Sequence, residues 1–152
     1  MHADHTSGAN EPPRTKGPNF YVRKWIRPED LNAHGTLFGG ALLRWIDAEA
    51  AIYAITQIGN QRLVTKFISE VNFERSAKQG DLLEMALVAT GFGRTSVTVR
   101  AEVRNMITDE LIITIEKMVF VNLGGDGLPA PHGYSEITYD RDRVPTAQPP
   151  AR

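Results

Sequence analysis

The sequence predicts an α+β fold in which one long central helix is wrapped by a curved antiparallel sheet. Two observations predict it. A single long apolar segment, residues 41–58, follows the Gly39-Gly40 step and ends at Gly59, where a glycine is typical of a helix C-terminus. The segments after it alternate apolar and polar residues, as strands do. Because short turns join these segments, consecutive strands must be antiparallel.

The strands follow in chain order. The first covers residues 20–26 and ends at Arg27-Pro28, because proline cannot donate to a β-ladder. The later strands are predicted at residues 63–74, 82–90, 95–104 and 111–121. In the strand at 63–74, one face is expected to carry Leu63, Thr65, Phe67, Val71 and Phe73.

The predicted helix is apolar nearly all round, so it must be buried. A curved sheet wrapped around it would bury it and use one sheet face as the core. One sheet layer on one helix is a thin core, so we expect a second face or an edge to pair with another copy of the chain. The alanines at 48, 50, 51 and 54 would allow a close approach.

Composition divides the chain into three parts. Residues 1–18 are rich in proline, glycine and polar residues, which predicts a disordered arm. Residues 19–122 form the predicted folded domain. Residues 123–152 form a polar C-terminal tail, which we expect to lie along the surface near Tyr134 to Tyr139 and then fray.

Composition also bounds the function. The net charge of -1 argues against a nucleic-acid partner or an anionic membrane, and the apolar stretch around residues 41–58 is too polar to span one. The N-terminus lacks the apolar core of a signal peptide. The chain has no cysteine, which excludes disulfides and a thiol nucleophile and permits a reducing compartment. We therefore expect a cytoplasmic protein.

The most informative stretch is residues 32–47, NAHGTLFGGALLRWID, in which a Phe-Gly-Gly step precedes an acidic residue on the helix. It resembles the signature of the acyl-CoA thioesterase family of hotdog proteins. The resemblance continues through Val64-Thr65, residues 71–73, Gly80-Asp81 and residues 93–96. It implies a hotdog fold with about five to six strands, and hydrolysis of acyl-CoA to a carboxylic acid and CoA.

Asp47 lies among apolar helix neighbours, where a carboxylate is costly without a partner or a task. The resemblance implies that this carboxylate attacks the thioester or activates water. The alternative is a salt bridge to Arg44, three residues earlier.

Three further residues are catalytic candidates: Asn32 through the resemblance, and Thr65 and Gly40 through their own chemistry and position. Asn32 would position the carbonyl or the water from the partner subunit, although a turn asparagine bonded to local backbone is a common alternative. Thr65 would bond the water or the acid, unless nearby groups simply satisfy it. Gly40 would polarise the carbonyl through its free N–H at the helix start, while Gly39 lets substrate approach. Both glycines also suit a tight turn.

The expected substrate-binding residues surround these positions. His34 has no Ser-His-Asp pattern to support a catalytic role and is assigned to the loop near the site. Thr36 departs from relatives that carry an acid or amide there. The remaining candidates are Phe38 and Gly39 at the helix start, the Arg94-Thr95-Ser96 stretch resembling a CoA channel, and Arg75 and Lys78 for the CoA phosphates. For the polar residues, a solvated turn is the alternative.

We expect no metal and no bound cofactor, since CoA belongs to the substrate. The partners expected are the acyl-CoA substrate and further copies of the chain, built from dimers and leaning to a hexamer. Two other functions stay open. One is a hotdog hydratase or dehydratase, which the lack of a histidine on the helix disfavours. The other is a non-catalytic acyl-CoA-binding or interaction module.

Overall fold

The structure is a computed structural model, and it describes residues 17–146. One helix, α1 (Gly39–Ile58), packs on a six-stranded antiparallel sheet. The strands are β1 (Phe20–Trp25), β2 (Leu63–Ile68), β3 (Val71–Phe73), β4 (Leu82–Phe92), β5 (Ser96–Asn105) and β6 (Leu111–Asn122), with a short 3₁₀ turn at Pro28–Asp30. The predicted fold class is confirmed. The arm predicted at residues 1–18 lies almost wholly outside the described residues.

The sheet runs in the order β1-β4-β5-β6-β2, and β3 also pairs with β6. Short turns between β4, β5 and β6 allow these central strands to align as antiparallel neighbours. The predicted alternation in β5 is confirmed for Val97, Val99, Ala101 and Val103, which are all buried. β1 and β2 therefore form the two edges of the sheet.

The helix buries one side against this sheet. Its fully buried apolar residues are Leu42, Ile46, Ala50, Tyr53, Ala54 and Ile58, at the spacing of one helix face. Gly59 ends the helix as predicted, in the left-handed conformation at φ 70°, and its N–H donates to the Ile55 carbonyl. The opposite side stays uncovered in the single chain, where Ile52 is 47% exposed.

The single strand predicted at residues 63–74 is wrong in two respects. It is divided into β2 and β3, and β2 contains a bulge between Thr65 and Phe67. A bulge inserts a residue and reverses the side-chain alternation after it. Phe67 consequently pairs opposite Val119 on the outer face, and Ile68 faces the buried Met118.

The β4–β5 connection is also shorter than the one expected between the strands predicted at residues 82–90 and 95–104. Gly91 and Phe92 belong to β4 and pair with Thr98 and Val97, after a bulge that follows Ala89. The bulge, which residue patterns do not reveal, carries the strand two residues further than expected.

Candidate active site

Asp47 and Thr65 form a short hydrogen bond between the helix and the edge strand. The Thr65 hydroxyl Oγ1 donates to Asp47 Oδ1 over 2.7 Å. Thr65 lies opposite Phe120, whose buried side chain faces the helix, so the threonine points toward α1. Asp47 is half-buried and Thr65 is exposed. The carboxylate is thus oriented by one contact and remains reachable from outside the chain.

Arg44 is not the partner of Asp47. No ion pair joins the two side chains among the described residues, and Asp47 bonds to Thr65 instead. Arg44 is exposed and lines a shallow depression with Glu29, Asp30 and Gly40 at the helix start. The alternative of a local Asp47–Arg44 salt bridge is therefore not realised.

The helix begins without a side-chain cap. Phe38 occupies the N-cap position, and its carbonyl accepts the N–H groups of Ala41 and Leu42. The N–H groups of Gly39 and Gly40 have no acceptor within the described part of the chain. Free donors at a helix N-terminus, together with the helix dipole, attract an oxygen that carries negative charge. These two amides are suited to polarise a carbonyl.

The two glycines also keep this position open. A Cβ at Gly40 would lie 2.6 Å from Cε1 of Phe38, and one at Gly39 would lie 3.3 Å from Cζ of Phe73. Side chains here would press on the rings or cover the free amides. The glycines thus serve the tight packing and the exposed amides together.

Asn32 closes the loop before the helix. Its Oδ1 accepts the backbone N–H groups of His34 (2.9 Å) and Thr36 (3.2 Å), and its Nδ2 donates to the Thr36 hydroxyl over 3.0 Å. Its own N–H donates to the Thr36 carbonyl. Within one chain Asn32 is therefore a turn asparagine, and no hydrogen bond connects it to Asp47. His34 is exposed beside it.

A cavity of about 340 Å³ opens beside the helix start. Its apolar walls come from Leu37, Leu42, Phe73, Ala77 and Ile112, with Gly39 at one side and Glu74, Arg75 and Ser76 completing the lining. Leu42, Ala77 and Ile112 are buried, whereas Phe73 is 52% exposed. The cavity can hold an apolar group next to the free glycine amides.

The two cations predicted to meet the CoA phosphates, Arg75 and Lys78, have different contacts. The guanidinium of Arg75 pairs with Glu110 at 3.1 Å, and both side chains are largely exposed. Lys78 is exposed; its backbone N–H donates to the Asp81 carboxylate, and its carbonyl accepts the Asp81 N–H.

Arg94, Thr95 and Ser96 lie at the opposite end of the helix from these groups. Ser96 pairs with Val121 and Leu63 pairs with Asn122, which places the β4–β5 turn near the C-terminal end of α1. A 20-residue helix is about 30 Å long. The predicted site residues therefore form three groups along one chain: the helix start, the Asp47–Thr65 pair and the β4–β5 turn.

An exposed apolar edge runs past the Asp47–Thr65 pair. Val64, Phe67, Ile68 and Phe73 of β2 and β3 are between 41% and 52% exposed. An uncovered strand edge with large apolar side chains is a surface that proteins normally cover.

The sequence reasoning did not anticipate how the C-terminal segment is held. Thr138 exchanges two hydrogen bonds with the buried Gln57, both of 2.9 Å, and Asn19 Nδ2 donates to the Thr138 carbonyl. His132 contacts the β4–β5 turn. Gln57 lies four residues after Tyr53, and two polar residues at core spacing on an apolar helix were the available signal.

No group of three or more histidine, cysteine, aspartate or glutamate side chains is placed to hold a metal ion within residues 17–146. In the same range, no helix is both long enough and apolar enough to cross a membrane.

Comparison with known proteins identifies the class. The model of the thioesterase superfamily matches residues 34–111, just over half of the chain. This segment contains the helix start, Asp47, Thr65 and the β4–β5 turn. The chain belongs to the thioesterase superfamily and has its hotdog fold.

Individual relatives show which kind of thioesterase the chain is similar to. An uncharacterized acyl-CoA thioester hydrolase of Buchnera aphidicola is 32% identical over 62% of this chain and 67% of its own length. The chain spans only 53% of a further acyl-CoA thioester hydrolase, from Haemophilus influenzae, at 32% identity.

Solved structures agree with these relatives. An acyl-CoA hydrolase of Staphylococcus aureus, solved with butyryl-CoA and CoA, has a TM-score of 0.67 at 32% identity, over 74% of this chain and 67% of that one. A hexameric acyl-CoA thioesterase has a TM-score of 0.65 at 36% identity, over 74% of this chain and 73% of its own.

Proposed function

We propose that this protein hydrolyses acyl-CoA thioesters to carboxylic acid and CoA, with Asp47 as the catalytic carboxylate. The observation that carries the proposal is the 2.7 Å bond by which Thr65 orients the Asp47 carboxylate at an open sheet edge. The names of relatives at 32% identity, all acyl-CoA thioester hydrolases, support the reaction. The Staphylococcus aureus enzyme was solved with butyryl-CoA, which supports the substrate class.

The choice of residues has a second support. Structures of the Staphylococcus aureus enzyme include alanine variants of one aspartate, one asparagine and one threonine. In that enzyme the aspartate follows the asparagine by fifteen residues, as Asp47 follows Asn32 here. These are the three residue types that we assign to catalysis.

The site needs a second copy of the chain. Gly40 precedes Asp47 by two helix turns, about 10 Å along the axis, which is further than one carbonyl group bridges. An antiparallel copy on the exposed edge of β2 and β3 would bring the partner's Asn32 and free glycine amides beside Asp47. It would also cover Phe67 and Phe73. The protein is therefore a homo-oligomer built from dimers, and the hexameric relative makes a hexamer the assembly to test first.

The chemistry follows from these groups. The amides of Gly39 and Gly40 polarise the thioester carbonyl and stabilise its developing negative charge, a kind of contact worth about 2.7–4 kcal/mol of barrier. Asp47 either removes a proton from a water held by Asn32 and Thr65, or attacks the carbonyl to form an anhydride. In both routes the C–S bond breaks, water supplies the hydroxyl of the acid, and CoA leaves as the thiol.

The remaining groups bind the different parts of the substrate. The acyl chain enters the cavity of about 340 Å³ beside Gly39. The pantetheine arm passes the loop of His34, Thr36 and Phe38, and the phosphates meet Arg75 or the turn of Arg94, Thr95 and Ser96. The reaction requires no metal and no cofactor besides the CoA of the substrate. We assign the protein to the cytoplasm.

A panel of acyl-CoA substrates, followed by release of the CoA thiol, tests the proposal. The native protein should hydrolyse at least one chain length, and Asp47→Asn should lower kcat by at least about a hundredfold, the contribution of a general base. The asparagine retains the size of the side chain, so circular dichroism should show an unchanged fold. Full turnover in the folded variant would remove Asp47 from the mechanism. Acyl-CoA binding without turnover by the native protein would identify a non-catalytic module instead.

A further inference from the structure

The backbone of the β4–β5 turn is fixed by groups from outside the turn. The Arg94 carbonyl accepts the His132 N–H at 3.3 Å, and the Thr95 carbonyl accepts the Asn122 N–H at 2.7 Å. The Ser96 carbonyl accepts the Gly93 N–H and also lies 2.8 Å from Nε2 of the His132 ring. His132 thus holds two of three consecutive carbonyls. We infer that His132 is a positioning residue that presents this turn to the nucleotide part of CoA, an inference that rests on the proposed function.

The contacts of His132 define its chemical form. The Ser96 carbonyl can only accept, so Nε2 carries the proton and donates to it. Nδ1 accepts the Tyr134 N–H at 3.1 Å and so carries no proton. The ring also stacks on Tyr134 at 6.5 Å and meets the edge of Phe92 at 6.1 Å. Both nitrogens of a neutral imidazole are therefore engaged in holding the turn.

The segment that carries His132 is anchored to the helix. Arg143 stacks over the Tyr134 ring, 4.2 Å from its centre, and its Nη1 donates to the carbonyls of Gln57 and Glu136. On the other side of His132, Ala130 exchanges backbone and side-chain hydrogen bonds with the buried Asn122. The segment that carries His132 is consequently part of the folded domain and is not a free tail.

The Arg94 side chain indicates what the contacts of His132 contribute to binding. Its side chain is exposed, and no carboxylate pairs with it among the described residues. An unpaired guanidinium suits a phosphate, which it can bind with two hydrogen bonds. Ordering a mobile loop on binding costs affinity, and a turn fixed in advance avoids that cost. His132 would therefore raise affinity for CoA without taking part in the chemical step.

Truncated substrates test this inference, because an acyl-pantetheine thioester carries the same reacting bond as acyl-CoA but lacks the nucleotide. We expect His132→Ala to raise KM for acyl-CoA by roughly tenfold and to leave kcat within twofold, with no change in KM for acyl-pantetheine. His132→Gln keeps an amide donor for the Ser96 carbonyl and should recover most of the affinity. Ser135→Ala, at an exposed neighbouring residue, is the matched control.

Two outcomes would overturn the inference. One is an equal change with both substrates, which would indicate a general structural effect of His132. The other is an unchanged KM for acyl-CoA in a folded His132→Ala protein. Arg94→Ala should reproduce the effect, and the double variant should add little to either single change, because the two residues act through one contact. Failure of the proposed function is distinguishable, since the native protein would then release no thiol from either substrate.

Discussion

Asp47 and Tyr53 lie six residues apart on the same helix, yet their surroundings are opposite. Tyr53 is 1% exposed, its hydroxyl donates to Asn19 Oδ1 at 2.6 Å, and it accepts the Ala89 N–H at 2.8 Å. Burial raises the pKa of Tyr53 to about 12. Within residues 17–146, the Asp47 side chain makes one hydrogen bond, to a threonine on an open edge. Tyr53 therefore holds β1, β4 and α1 together, whereas Asp47 is available for chemistry.

The comparison teaches that polar side chains on this helix have two roles, which differ in how deeply the side chain is buried and in how many partners it has. A polar group with every bond satisfied inside one chain contributes to stability. A polar group at an uncovered apolar edge gains its partners and its dry surroundings only when another surface arrives. Changes at the two positions should therefore affect different measurements.

The largest expected effect concerns the pH dependence of stability. Because the pKa of Tyr53 is raised to about 12 from 10, its stabilising effect is complete below pH 10 and is lost as the pH rises through 12. A shift of this size corresponds to about 3 kcal/mol in the free energy of unfolding. Urea unfolding at pH 9 and pH 11.5 should show a loss in the native protein that exceeds the loss in Tyr53→Phe by about 2 kcal/mol.

The Tyr53→Phe variant should lose stability without losing activity. It should cost about 1–3 kcal/mol of stability near pH 7, because the Ala89 N–H and the Asn19 oxygen lose their partner. Its kcat should equal that of the native protein. Equal alkaline losses in both proteins would show that other groups set this pH dependence.

The next largest effect is expected on self-association, from a change at the exposed edge of β2 and β3. Phe67→Ser removes a large apolar side chain that is 51% exposed on β2. If a second copy covers it, the lost burial of about 1.5–3 kcal/mol should weaken self-association by roughly tenfold to a hundredfold. Light scattering over a dilution series measures this. Tyr21→Ser, at a residue that is 55% exposed on β1 at the opposite edge of the sheet, is the matched control. Identical association in both variants would place the interface elsewhere.

Thr65→Val should have a smaller effect, confined to activity. The change keeps the shape of the side chain and removes the hydroxyl that donates to Asp47. We expect kcat to fall about tenfold, the value of one hydrogen bond to a charged group, with KM nearly unchanged. The melting temperature should stay within about 1 °C, because the residue is exposed. A drop in stability with intact kcat would assign Thr65 to the fold.

Much of the fold could be predicted from residue patterns. The apolar segment with its closing glycine predicts α1, and alternation predicts β5 almost residue by residue. The bulges after Thr65 and Ala89 could not be predicted, since a bulge changes pairing without changing composition. The individual contacts of residues 123–146 were not predicted either, because they are single long-range bonds such as the one between Thr138 and Gln57.

The site was predictable in its parts but not in its arrangement. The resemblance selected Asp47, Thr65 and the glycine amides, and the helix places Asp47 within reach of Thr65. Within its own loop Asn32 makes the contacts of the alternative that the sequence left open, a turn asparagine bonded to local groups. A motif orders residues along one chain, whereas the arrangement that we propose depends on two chains. His132 lies outside the motif altogether.

Subunit mixing tests the central claim, that Asp47 works with Asn32 of another copy. Asp47→Asn and Asn32→Ala proteins, each of which we expect to be inactive alone, are unfolded together and refolded at equal concentrations. If each site combines the two residues from different chains, half of the dimers regain one intact site, and the mixture should show about a quarter of native activity. A mixture as inactive as its components, with mixed dimers demonstrated by differential tags, would contradict the account.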